Sequence, residues 1–163
     1  MRAGMAALST AVDRFCRFGA AFGLVLMLVL IAIQVIARYV LSEPPGWTEE
    51  GARYAMVWSG LLGSAVAFKG GIDPVMLRLK SLEGNRPVAW LRGAAVVLFL
   101  APILYFCVVG PGQDLARGFI ARSASRSTEG MGLSMAWFTV SLPVAFIAIL
   151  IHVAAELLAR SKP

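Results

Sequence analysis

Glu49, Glu50 and Arg53 open the second apolar run of this chain, in "EPPGWTEEGARYAMVWSG" at residues 43–60, and Arg38 closes the run before it. The chemistry open to such a set is charge pairing. Glu49 and Arg53 lie one helical turn apart and can pair along one face. Thr48 is placed to cap a helix whose first positions are Glu49 and Glu50, where acids suit the positive end of the helix dipole. Pro44 and Pro45 stop any continuation of the preceding helix. Capping and snorkelling can account for all four charges. A sharper expectation makes Arg38, Glu49, Glu50 and Arg53 a semi-buried cluster, flanked by Trp47 and Trp58, that fixes two helices or docks them against another membrane protein.

Other reactive side chains are few. His152 is the single histidine, so neither a bis-histidine haem nor a histidine metal cluster can be built from this chain alone. A structural or interfacial role beside Glu156 is expected of it. Cys16 and Cys107 are far apart, form no CxxC pair and read as small buried apolar residues. There is no Gly-rich phosphate loop and no Ser/His/acid set suggested by position. No cofactor, no metal and no catalytic residue is expected.

The elements that must position the charged set follow from composition. Of 163 residues, 59% are apolar and 15% charged, and the mean hydropathy is +0.78, whereas soluble domains carry about a quarter charged residues. This is the composition of a membrane protein. Its net charge of +6 lies between apolar runs instead of along one exposed face, which argues for topology and against nucleic acid. The basic N-terminal arm (Arg2, Arg14, Arg17) precedes an apolar run longer than a signal-peptide core, with no small-x-small cleavage site, so an uncleaved first span is expected.

A bilayer core of about 30 Å takes about 20 helical residues. The runs Phe18 to Ala37, Gly93 to Gln113 and Met131 to Ala155 are long enough. The run between Arg53 and Lys69 is short, so its helix must recruit the charged turns from Trp47 or Thr48 onward. The expected fold is all-α: one integral membrane domain over residues 1–163 with four helices, at about 18–41, 48–69, 90–114 and 131–157. Ten of the 15 Lys and Arg fall on the N-terminal arm, the middle loop and the tail, which by the positive-inside rule puts both termini in the cytoplasm. Within the middle loop, Pro74 to Leu82 carries an irregular amphipathic pattern suited to the inner headgroup surface and its phospholipid.

Inside the spans the polar residues are Gln34, Ser59, Ser64, Thr139 and Ser141, with no acid or base near a midplane. That is too little to hold and couple a charged substrate. Helix packing is better served: Gly19 and Gly23 form one small-xxx-small face, Gly60 and Gly63 with Ala67 another. Pro102 and Pro143 are expected to kink helices three and four, and the tryptophans to sit at interfaces or packing faces.

The stretch "VIARYVLSEPPGWTEEGARYAMVWSGLLGSAVAFKGG" resembles the small membrane subunit, or Q subunit, of tripartite ATP-independent periplasmic (TRAP) transporters. The matching positions are Arg38 and Tyr39, a Pro at 44 or 45, Trp47, Glu49 and Glu50, then Ala52, Arg53 and Tyr54, with Trp58, Gly60 and Gly63 behind them. "GMGLSMAWFTVSLPVAF" is similar to a second family segment, carried by Trp137, Leu142 and Pro143. Where the family often shows a histidine after the second helix, this chain reads "GGIDPVML", and Asp73 is a loose positional match. The resemblance implies a small permease of the bacterial inner membrane. It implies a large membrane partner that carries the sodium and substrate sites, and a periplasmic substrate-binding protein. The substrates implied are small organic acids such as C4-dicarboxylates or sialic acid. The small subunit would brace the large one and help to dock the binding protein. Competing readings from other classes are a quinone-reactive four-helix redox subunit and a small homodimeric exporter.

Overall fold

The computed structural model describes residues 2–43, 45–72, 86–110 and 113–160, with the side chains of Arg86 and Arg160 outside that description. Pro44, Asp73 and the amphipathic stretch at 74–82 lie outside the described residues. Among the described residues regular structure is helical, apart from an isolated bridge between Ser127 and Ser134.

Helix α1 runs from Arg2 to Ile36 and continues through a π-helical turn, Ala37–Leu41. It starts well before the apolar run at Phe18. The reason is local: the arm is rich in Ala, Leu, Met and Arg, all strong helix formers, and holds no proline to stop the helix. Ser42, at φ 59°, ends it. Helix α2 (Gly46–Gly70) is closed by Gly71 at φ 63°, whose N–H reaches Ala67 O and Phe68 O, while the Ile72 N–H bonds Ala67 O at 3.1 Å. Glycine meets the left-handed conformation of that cap without steric cost.

Helix α3 (Arg86–Val108) contains Pro102 and stops short of Gln113, because the Gly110-Pro111-Gly112 sequence cannot carry the helix onward. A 3₁₀ turn at Leu115–Arg117 follows, with the Asp114 carboxylate accepting from the Ala116 N–H. Helix α4 (Phe119–Ala124) then leads into a hairpin closed by Thr128 N to Leu133 O at 2.9 Å and Met135 N to Arg126 O at 2.8 Å. The last apolar run becomes a short α5 (Ala136–Thr139) and a long α6 (Ser141–Arg160). Pro143 sits in the first turn of α6, where a missing N–H is tolerated.

Among the described residues, three segments are long and apolar enough to cross a membrane: Arg2–Leu41, Pro87–Val108 and Ala136–Ala159. Helix α2, with 25 residues, is long enough at about 37 Å but carries charge at both ends.

Helices α1 and α2 lie antiparallel with glycine at the crossing. A Cβ on Gly19 would stand 2.7 Å from Leu62 Cδ1, and one on Gly23 would stand 3.1 Å from Ser59 Cβ and 3.2 Å from Ala55 O. Gly51 repeats the device against Leu30 Cδ1 at 2.9 Å. A Cβ on Gly60 or Gly63, in contrast, would meet no described atom outside its own helix turn within 4 Å. These two glycines mediate no close approach within the described chain. Helix α6 packs into the groove of the α1–α2 pair through Ala148, Ile149 and Val153, which meet Cys16, Leu62 and Ala65 in the buried core. Helix α3 leans on α6, with Leu157 Cδ1 2.9 Å from the Cβ position of Gly93. Much of α1 and α3 remains uncovered: Phe18 is 74% exposed and Leu98 76%.

Candidate functional site

The polar residues collect at the two ends of the bundle. At one end α2 begins. Its N-cap is Pro45, with no side-chain cap, so Thr48 does not cap the helix. Thr48 is buried in the first turn instead, and its hydroxyl donates back to Pro45 O at 2.6 Å. One turn on, Arg53 Nη2 meets Glu49 Oε1 at 2.6 Å, with both side chains more than half exposed. A solvated i,i+4 pair of this kind is worth roughly 0.3–0.5 kcal/mol.

Glu50 turns the other way. Its Oε1 accepts the Gly130 N–H and its Oε2 the Met131 N–H, each at 2.8 Å. One carboxylate thus holds the turn of a hairpin eighty residues away through two charge-assisted hydrogen bonds. Gly130 allows the approach, since a Cβ there would stand 3.0 Å from Gly46 C and from the Glu50 carboxyl carbon. Arg38, on the exposed π turn, makes no ion pair among the described residues. The four charges are therefore divided into a pair, a hairpin clasp and a lone guanidinium.

The tryptophans divide too. Trp47 is exposed. Trp58 donates its indole N–H to Trp137 O at 3.0 Å, which pins α2 to α5. Beside it the Tyr54 and Phe138 rings meet edge to face at 5.7 Å. A cleft of about 390 Å³ opens between Glu50, Arg53 and Tyr54 on α2 and Thr128 and Met135 on the hairpin. Next to it a second cleft, of about 340 Å³, lies under Arg122 and Arg126, where Ser123 Oγ and Thr139 Oγ1 are 2.7 Å apart.

At the opposite end the polar contacts range from buried to half-exposed, and several join helices directly. Asp13 accepts from Arg17 Nε at 3.0 Å and stands 3.7 Å from Lys69 Nζ. Lys69 also donates to the Ser9 carbonyl oxygen at 2.9 Å. Ser9 Oγ lies 2.9 Å from Nδ1 of His152, so α1, α2 and α6 share one network. Helix α3 joins its rim through Arg92, 3.9 Å from Glu156 and 5.0 Å from the centroid of the Phe68 ring.

The sequence reading missed Asp13, Ser9 and Lys69 as a set, because it began the first helix at Phe18. One signal was present in Asp13 and Arg17, an acid and a base four residues apart on a helix-forming arm. Between the two ends no Asp, Glu, Lys or Arg occurs: none separates Arg17 from Arg38, Arg53 from Lys69, Arg92 from Asp114 or Glu129 from Glu156. What this arrangement does chemically is fasten helices at both ends of an apolar middle.

No curated protein matches the chain at the level required for a relative. A family profile does, that of the DctQ component, the small permease of a three-part membrane transporter that also has a large permease and a substrate-binding protein. Because the profile matches residues 27–162, most of the chain, this protein belongs to the family of tripartite ATP-independent periplasmic transporters, DctQ component.

Proposed function

We propose that the chain is a four-span, non-catalytic scaffold subunit of the inner membrane, with both termini in the cytoplasm. It braces the large permease and helps to dock the periplasmic substrate-binding protein in sodium-coupled uptake of small organic acids. In this reading α2 is the fourth crossing, the Asp13 end faces the cytoplasm and the Glu50-held hairpin faces the periplasm. The observation that carries the reading is the pairing of family membership with charge confined to the two ends of an apolar bundle. A subunit that handled charged cargo itself would need ionisable groups near mid-membrane.

Two further features support a bracing role. The open faces of α1 and α3 are apolar and suit lipid or a second membrane protein. The vacant space around Gly60 and Gly63 admits a partner helix at close range. We assign that face of α2 to the large permease.

Co-purification with the large permease tests this. Wild-type chain should bring the permease down in stoichiometric amount, and Gly60→Leu with Gly63→Leu should lose it while the chain still inserts and folds. Recovery of a homodimer that transports solute alone in liposomes, or undiminished recovery of the permease by the double variant, would sink the assignment.

A further inference from the structure

Where α2 ends against α3 and α6, a cavity of about 360 Å³ is lined by Phe68, Lys69, Arg92, His152 and Glu156. Its volume is far above one water's share of about 30 Å³. His152 is 4% exposed, its Nδ1 is engaged with Ser9 Oγ, and its buried Nε2 has no hydrogen-bond partner among the described residues. A buried ring nitrogen left without a partner bears its full desolvation cost.

We propose that this cavity binds a phosphate group, from an anionic phospholipid headgroup or from free phosphate, between Lys69, Arg92 and the Nε2–H of His152. With the Ser9 hydroxyl donating to Nδ1, the ring proton sits on Nε2 and faces the ligand as a donor. Lys69 uses one donor on the Ser9 carbonyl and stands 3.7 Å from Asp13 Oδ2, and an ammonium has three donors, which leaves at least one for a ligand. Arg92 has five donors and holds Glu156 only at 3.9 Å.

The charge balance selects the ligand. Among the described residues, three cations (Arg17, Lys69, Arg92) and two acids (Asp13, Glu156) make the ion pairs of the network, an excess of one positive charge in that set. A phosphodiester supplies one negative charge. Depth agrees, because Lys69 is the first charge after the apolar run of α2 and so lies at the level of the phosphate layer. Ile72 and Leu91, next in sequence to the lining residues Gly71 and Arg92, are exposed apolar side chains at this end of the bundle, which suits acyl chains and favours the lipid source. The site includes Ser9 and Asp13 in its support, both ahead of the segment matched to the family. It requires only that this end of the bundle meet the membrane boundary, and is independent of the transport reading.

The chain's single histidine makes the test specific to one residue. The full chain, labelled with ¹⁵N-histidine and held in lipid-free maltoside micelles, would be titrated separately with phosphatidylglycerol and with inorganic phosphate. The expected result is a saturable movement of the Nε2 resonance. Movement with phosphatidylglycerol alone identifies the lipid source, and movement with inorganic phosphate identifies the free ion. Arg92→Gln should weaken the response roughly tenfold, the loss of one charge-assisted hydrogen bond. Because Arg92 is half exposed, its variant should keep the wild-type helical circular dichroism. Lys69→Gln provides a second variant with the same expectation. An Nε2 resonance unmoved by either ligand, or a response unchanged in both variants, overturns the site.

Discussion

The two ends of the bundle solve the same problem with different parts. At the Asp13 end, three helices meet around a buried Ser9–His152 contact, with Asp13 8% exposed and His152 4%, while Arg17 and Arg92 reach in from the exposed rim. At the Glu49 end, one pair is left in the open, Glu50 bonds the loop backbone at Gly130 and Met131, and Trp58 bonds the backbone of α5 at Trp137. Helix-to-helix bonds in a dry setting fix relative positions, since breaking one strands a buried partner. Bonds to a hairpin fix a surface, and they can be lost without parting the helices. The first end is built as a fastening, the second as a mount for a loop.

The comparison breaks first at Asp13. Asp13→Ala removes the acceptor shared by Arg17 and Lys69 and should cost about 1–3 kcal/mol, read as a lowered thermal denaturation midpoint in detergent. An unchanged midpoint would mean that the buried network holds nothing together. Glu50→Ala should leave that midpoint nearly in place while the Gly130 and Met131 amides lose protection from hydrogen exchange. It should also reduce assembly with the transporter's other subunits. If the hairpin stayed protected, the clasp would be dispensable and the mount would have to be sought elsewhere. Trp58→Phe keeps the ring packing and deletes one N–H, so a loss of about 1 kcal/mol is expected, confined to the contact between α2 and α5. The smallest effect belongs to Arg53→Ala, at roughly 0.3–0.5 kcal/mol and falling further in high salt. A larger loss would show that the Glu49–Arg53 pair is engaged by something beyond this chain.

Reading the sequence found the helical, membrane-embedded class and the Glu49–Arg53 pair, because both depend on spacing along one helix. It anticipated close approach at Gly19 and Gly23, which the structure places at the α1–α2 crossing, but gave Gly60 and Gly63 the same weight. Small residues look alike in sequence whether they face a neighbouring helix or open space, and only the crossing geometry separates them. Gly51 and Gly93 were not singled out, although Ala55 and Ala89 stand four residues from them; what they approach, Leu30 and Leu157, lies on other helices and cannot be read from local spacing. Glu50 was grouped with its neighbours, although its two acceptors meet amides eighty residues distant, a pairing no local rule contains. The start of α1 was set by hydropathy alone, while helix propensity carries the backbone back to Arg2. That choice hid Ser9 and Asp13, and with them the reason His152 is buried.

The length of α1 has a mechanical corollary. With its π turn it spans 40 residues, a rod of about 60 Å, and tipped by the usual 20° or so it still rises about 56 Å, some 10 Å more than a bilayer with its headgroups. Some of this rod must therefore stand clear of the lipid as an ordered stalk. Since Lys69 and His152 grip it at Asp13 and Ser9, a pull or twist applied to the protruding tip would be passed straight into the bundle instead of being absorbed by slack chain.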